Sequence, residues 1–61
     1  MGARAPNDAA LANRLGLDAL RSGDAHTASE HFERACEADP TAADLLINLA
    51  TARRLLKDDA A

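Results

Sequence analysis

The sequence predicts an all-α fold of three consecutive antiparallel helices, on the basis of three observations. Apolar residues recur every three to four positions along three stretches, as they do on the buried face of a helix. Breaks at Gly23-Asp24 and at Asp39-Pro40 separate these stretches. No stretch shows the two-residue alternation that is typical of a half-buried strand.

The first helix is expected over residues 8–22, after a flexible N-terminal arm at residues 1–7. Leu11 and Leu15 recur at helical spacing within it. Gly23 follows at the place where a helix often ends in a left-handed residue, and glycine adopts that conformation without steric cost.

The second helix is expected over residues 25–38, with Asp24 as its N-cap. Ala28 and Phe32 belong to its apolar stripe, since they lie one helical turn apart. Pro40 ends the helix, because the residue before a proline avoids the helical region of backbone conformation.

The third helix is expected over residues 42–57, with a short tail at residues 58–61. Arg54 and Lys57 lie in its last turns, where positive charge is favourable next to the helix dipole. Together the three helices would form one domain at residues 8–57.

Composition excludes several classes of function. The net charge is −3 and the chain has one aromatic residue, so neither a basic face nor stacking aromatics indicate a nucleic-acid binder. No apolar run approaches the roughly 20 residues of a membrane span. A single cysteine excludes an internal disulfide. We therefore expect a cytoplasmic protein without membrane or nucleic-acid partners.

One spacing pattern points to a family. Two residues of the first helix, three of the second and one of the following turn share this pattern: Leu15, Gly16, Ala28, Phe32, Ala35 and Pro40. The pattern resembles the tetratricopeptide repeat (TPR), a helix–turn–helix unit of 34 residues. In such a unit the two helices cross closely, so the crossing needs small residues. Gly16 and Ala28 are suited to that role, with Phe32 beside them and packed against Leu15.

The resemblance sets a register along the chain. One complete repeat covers residues 9–42 and half of a second covers residues 43–57. The third helix is therefore either a cap or the first helix of an unfinished repeat, and we expect the chain to be an N-terminal fragment of a longer protein. Ala12 and Ala19 depart from the family, which usually has large aromatic residues at these positions.

The resemblance also implies a concave groove along the first helices of successive repeats, where TPR proteins hold a peptide. Eight residues of this chain occupy groove positions: Asn13, Leu17, Leu20, Arg21, Ile47, Asn48, Thr51 and Arg54. Asn48 is the strongest candidate, since its amide could pair with a peptide backbone; the alternative is a solvated asparagine. The apolar residues of this set could instead pack between helices. Asn13 and Leu17 do not match the Lys and Asn of the carboxylate clamp that binds chaperone tails.

Three functional hypotheses follow. The first is a protein-interaction module that binds a peptide or a neighbouring domain in this groove. The second is self-association through Leu46, Leu49 and Leu56, which would lack a second-repeat helix to cover them. The third is the recognition arm of a larger enzyme, such as an aspartyl/asparaginyl hydroxylase-like oxygenase or a sulfotransferase.

No catalytic, metal or cofactor site is expected in this segment. His26, His31 and Cys36 are five residues apart, so they do not share a helix face as the i, i+4 histidines of a metal helix do. A Cys–His nucleophile pair would need an orienting group that the sequence does not indicate. Surface histidines and a half-buried thiol are the simpler interpretation.

Overall fold

The computed structural model describes the backbone of residues 6–60 and the side chains of residues 8–57. Its three helices are α1 (Pro6–Arg21), α2 (Ala25–Ala38) and α3 (Ala43–Ala60). α2 packs against both α1 and α3. The all-α, three-helix prediction is confirmed.

The bounds of α2 are as predicted, whereas α1 and α3 differ at both ends. α1 begins at Pro6, inside the predicted arm. Proline suits this first helical position because the N–H that it lacks would have no partner within the helix. α3 begins one residue later than predicted and continues to Ala60, through most of the predicted tail. No glycine or proline follows Lys57 to stop it. The remainder of the predicted arm and tail lies outside the described residues.

α1 ends in a Schellman motif. Gly23 has a φ of 82°, the left-handed conformation predicted for it. The Gly23 N–H donates to the Leu20 carbonyl at 3.0 Å, and the Asp24 N–H donates to the Ala19 carbonyl at 2.9 Å. These bonds satisfy carbonyls that the helix end would otherwise leave unpaired, so α1 stops one residue before the predicted end.

Asp24 caps α2 as predicted. Its carboxylate accepts a hydrogen bond from the Thr27 N–H at 3.1 Å. Hydrogen bonding by the Thr27 side chain, and then by its backbone, holds the pKa of Asp24 below its ordinary value. Asp24 therefore stabilises the start of α2 at neutral pH, and this contribution is lost as the pH falls through the lowered pKa.

The turn from α2 to α3 is closed by short-range hydrogen bonds. The Asp39 N–H donates to the Ala35 carbonyl at 3.0 Å, and the Thr41 hydroxyl donates to the Asp39 carboxylate at 2.9 Å. Pro40 follows Asp39, and its lack of an N–H keeps α2 from continuing. The turn reverses the direction of the chain, so α3 is antiparallel to α2 and runs in the same direction as α1.

Two small clusters form the core. One contains Ala9, Ala12, Ala35 and Leu45, and it joins the start of α1 to the end of α2 and the start of α3. The other contains Ala28, Phe32, Leu49 and Ala52, with Ala19 and Leu20 of α1 packed against it. The first cluster joins Ala9 of α1 to Leu45 of α3, so the starts of these two helices lie side by side.

Gly16 of α1 lies directly against the Phe32 ring of α2. A Cβ placed on Gly16 would lie 2.5 Å from the nearest Phe32 ring carbon, which is closer than a real contact allows. Phe32 is fully buried, so the ring has taken the space that a side chain at residue 16 would need. The sequence predicted Gly16 opposite Ala28, whereas it is the Phe32 ring that covers Gly16.

The six pattern residues divide into two groups. Gly16, Ala28, Phe32 and Ala35 are buried. Pro40 is exposed in the turn, and Leu15 is 41% exposed, so Leu15 contributes less to the core than the sequence suggested. Its position on α1 turns it toward the outer edge of the α1–α2 pair, while Gly16 takes the inward direction.

Candidate groove between the first and third helices

A hydrogen bond joins the two helices that the sequence placed along the groove. The Asn48 amide nitrogen of α3 donates to the Asn13 amide oxygen of α1 at 2.7 Å. Both side chains are half-buried. An asparagine amide carries two donor hydrogens and one acceptor oxygen, so the Asn13 NH₂ group and the Asn48 oxygen retain bonding capacity. This pair, the asparagine bridge, therefore offers a donor and an acceptor together.

Apolar side chains flank the asparagine bridge. Leu17 is 40% exposed and Ile47 is 62% exposed. Leu17 lies one turn beyond Asn13 on α1, and Ile47 precedes Asn48 on α3. The surface therefore has polar amides at its centre and exposed apolar side chains beside them.

The other groove candidates are divided between surface and core. Arg21, Thr51 and Arg54 are exposed, and the Thr51 hydroxyl donates to the Ile47 carbonyl at 3.0 Å. Leu20 is half-buried and packs against the core cluster that contains Phe32. Leu20 therefore contributes to helix packing, the alternative that the sequence left open for it.

A cavity opens at the end of the groove where α1 and α3 begin. Its volume is about 250 Å³, and its wall combines three alanines and a leucine with polar side chains. The residues that line it are Ala9, Ala10, Asn13, Asp39, Ala42, Asp44 and Leu45. The sequence did not predict this cavity, and Asp39 and Asp44 were not among the predicted groove residues. The run of alanines on α1 is the signal that could have indicated a hollow here, because alanine leaves space between adjacent helices.

The predicted self-association set is not a single surface. Leu46 is 50% exposed, while Leu56 is half-buried. Leu49 is 9% exposed and packs with Phe32 in the core, so its placement on an uncovered face is wrong. Leu45, Leu49 and Ala52 share one helix face, and that face lies against α2.

A second cavity of about 300 Å³ lies between α1 and α2. Its apolar side chains include Leu11, which is 58% exposed, and Leu15. His31 and Arg34 of α2 contribute to the opposite wall. This edge was not predicted as a surface, because Leu11 and Leu15 were assigned to the helix stripe.

His26 and Cys36 have different surroundings in the structure. The His26 Nδ1 is 3.7 Å from the Glu30 carboxylate on an exposed part of α2. Burial raises the pKa of the half-buried Cys36 thiol, and the charge of Arg53 opposes that effect. Among the residues that the structure describes, no group of three His, Cys, Asp or Glu side chains could hold a metal ion.

None of the helices in the described part of the chain has the length and apolar character needed to cross a bilayer.

Comparison with protein families supports the architecture. The fold is a helical hairpin of α1 and α2, followed by a third helix that packs against α2. The family profile for the tetratricopeptide repeat matches residues 8–52. The chain therefore belongs to the tetratricopeptide repeat family, whose members generally mediate protein–protein interactions. Comparisons with curated proteins and with solved structures found no match.

Proposed function

We propose that this chain binds an extended peptide segment of a partner protein in the groove between α1 and α3. The observation that supports this most directly is the asparagine bridge, in which Asn13 and Asn48 meet at 2.7 Å across the groove. Its remaining donor and acceptor can pair with the N–H and C=O of a peptide backbone, whatever the peptide side chains. Leu17 and Ile47 would then contact apolar side chains of the same segment.

The geometry favours an extended ligand. A peptide in extended conformation presents backbone groups along its whole length, whereas a helix satisfies most of them internally. Polar groups at the centre of the groove therefore recognise an extended backbone better than a helical one.

The recognition arm of a larger enzyme would use the same groove and needs no catalytic group in these residues.

Substitution of Asn48 by alanine is expected to weaken peptide binding. Loss of one hydrogen bond typically costs roughly 0.5–1.5 kcal/mol, which corresponds to about a 2- to 12-fold increase in Kd. A peptide array would identify a binding segment, and fluorescence anisotropy would compare the wild type with Asn48→Ala and Ile47→Ala. Circular dichroism would establish that each variant is folded.

Leu11→Ala provides the matched control. Leu11 and Ile47 have similar exposure, at 58% and 62%, but Leu11 lies at the α1–α2 edge. Ile47→Ala should weaken binding and Leu11→Ala should not. Wild-type affinity in both groove variants would show that the ligand binds elsewhere.

Self-association is the second candidate function, with a second copy of the chain as the partner. It is supported by Leu46, a large apolar side chain that is 50% exposed on α3. Two copies would remove this side chain from water by pairing their α3 surfaces.

Leu46→Lys is expected to shift a self-associating chain toward the monomer, because a charge would be buried at the contact. Sedimentation equilibrium over a range of protein concentrations would measure the change. Ser22→Lys adds the same charge at an exposed turn and should leave the association unchanged. A wild type that sediments only as monomer at the highest concentration would exclude this candidate.

A further inference from the structure

Charge is distributed unevenly along the groove. The chain has ten acidic and seven basic residues, yet the groove positions identified from the sequence include two arginines and no acid. Arg21 and Arg54 are both exposed. At the other end, the cavity is lined by two acids, Asp39 and Asp44. The asparagine bridge lies between the two charged regions.

The order of charges follows from the helix geometry. At a rise of about 1.5 Å per residue, Asp44 lies about 6 Å before Asn48 along α3, and Arg54 lies about 9 Å after it. Arg21 lies about 12 Å beyond Asn13 along α1 by the same measure. α1 and α3 run in the same direction, so both arginines lie toward the same end. The acidic and basic ends are therefore about 15 Å apart.

The acidic end has the chemistry of a pocket for a basic side chain. Ala9, Ala10 and Ala42 give the cavity of about 250 Å³ an apolar wall, and two carboxylates lie beside that wall. Lysine and arginine side chains combine an apolar stem with a cationic head. The stem would lie against the alanines while the head pairs with Asp44 or Asp39.

The basic end has the chemistry to bind a carboxylate. Within the part of the chain that the structure describes, Arg21 and Arg54 form no ion pair, whereas Arg53 pairs with Glu33 at 3.1 Å. A guanidinium group binds a carboxylate through two parallel hydrogen bonds. An acidic side chain of the ligand would therefore pair with Arg21 or Arg54.

We propose that the groove selects an extended peptide that carries a lysine or arginine and, four to five residues away, a glutamate or aspartate. The separation follows from about 15 Å between the charged ends and about 3.3 Å per residue of extended chain. Apolar residues between the two charges would contact Leu17 and Ile47. This inference rests on the proposed peptide-binding function and adds the chemistry of the ligand.

Three synthetic peptides with neutral ends test the charge order. They share an apolar centre and carry Lys and Glu, two Glu, or two Lys at positions five residues apart. The Lys/Glu peptide should bind the wild-type chain most tightly. Each of the other two peptides carries one charge of the wrong sign, which should weaken binding about 2- to 5-fold, as for exposed ion pairs. The preference should disappear in 1 M NaCl, where the Debye length is about 3 Å.

Charge reversal in the protein should change which peptide is preferred. Asp44→Lys should prefer the two-Glu peptide, and Arg54→Glu should prefer the two-Lys peptide. Arg34→Glu is the matched control, since Arg34 lies at the other cavity and its reversal should leave the preference for Lys/Glu. If circular dichroism shows that Asp44→Lys is unfolded, Asp44→Asn replaces it. The Asp44→Asn variant should lose the preference for a peptide that carries lysine at the acidic end.

The outcomes separate this inference from the proposed function. Equal affinity for all three peptides, with weaker binding by Asn48→Ala, would overturn the charge order and leave the groove in place. Equal affinity that Asn48→Ala and Ile47→Ala do not change would overturn both proposals. Failure of the Lys/Glu peptide to bind, while the array supplies other ligands that depend on Asn48, would also overturn the charge order.

Discussion

Phe32→Ala is expected to lower the free energy of unfolding by roughly 3–5 kcal/mol, as for other buried Phe-to-Ala substitutions. Phe32 is the largest fully buried side chain, and it packs with Ala28, Leu49 and Ala52. Two of these three neighbours are alanines, which cannot extend into the space that the ring would leave. The cavity should therefore persist in any folded form of the variant.

The loss is large relative to the whole stability of a chain of this size. At roughly 0.05–0.15 kcal/mol per residue, a chain of this length has about 3–9 kcal/mol in total. A urea titration followed by circular dichroism at 222 nm would measure the change. Leu11→Ala is the control, because a side chain that is 58% exposed should cost less than about 1 kcal/mol. A loss of under about 1 kcal/mol in Phe32→Ala would contradict the assigned core.

Local chemistry explains why α2 could be predicted from the sequence. Asp24 precedes it with a capping carboxylate and Pro40 follows it with a missing N–H, so both bounds are specified by neighbouring residues. α1 starts earlier than predicted because Pro6, within the predicted arm, is well suited to the first position of a helix. The end of α3 has no such stop signal.

The site could be predicted in part for a related reason. Asn13 and Asn48 follow from the repeat register, but their hydrogen bond depends on how α3 packs against α2 and could not be read from either helix alone. Leu46 and Leu49 are three residues apart, and both are apolar, so the sequence does not say which one α2 covers. The packing decides it, and Leu49 is the buried residue.

Gly16→Ala is expected to destabilise the chain, in contrast to the usual effect of this substitution in a helix. Alanine is favoured over glycine within a helix by about 1 kcal/mol, and residue 16 lies in the middle of α1. However, the added Cβ would meet three carbons of the Phe32 ring at 2.5, 2.7 and 2.8 Å. Overpacking of this kind costs roughly 1–3 kcal/mol, so the net loss should reach up to about 2 kcal/mol. Gly16→Val should cost more, since it adds two further methyl groups at the same contact.

A double variant identifies the cause of that loss. Phe32→Leu removes the ring carbons that the new Cβ would meet, so Gly16→Ala should be less harmful, or stabilising, in that background. Urea titrations of the wild type, both single variants and the double variant give the coupling free energy between the two positions, which is expected to be at least about 0.5 kcal/mol in favour of the double variant. Additive effects would indicate that Gly16 and Phe32 do not meet. A more stable Gly16→Ala single variant would show that α1 and α2 cross less closely than this packing requires.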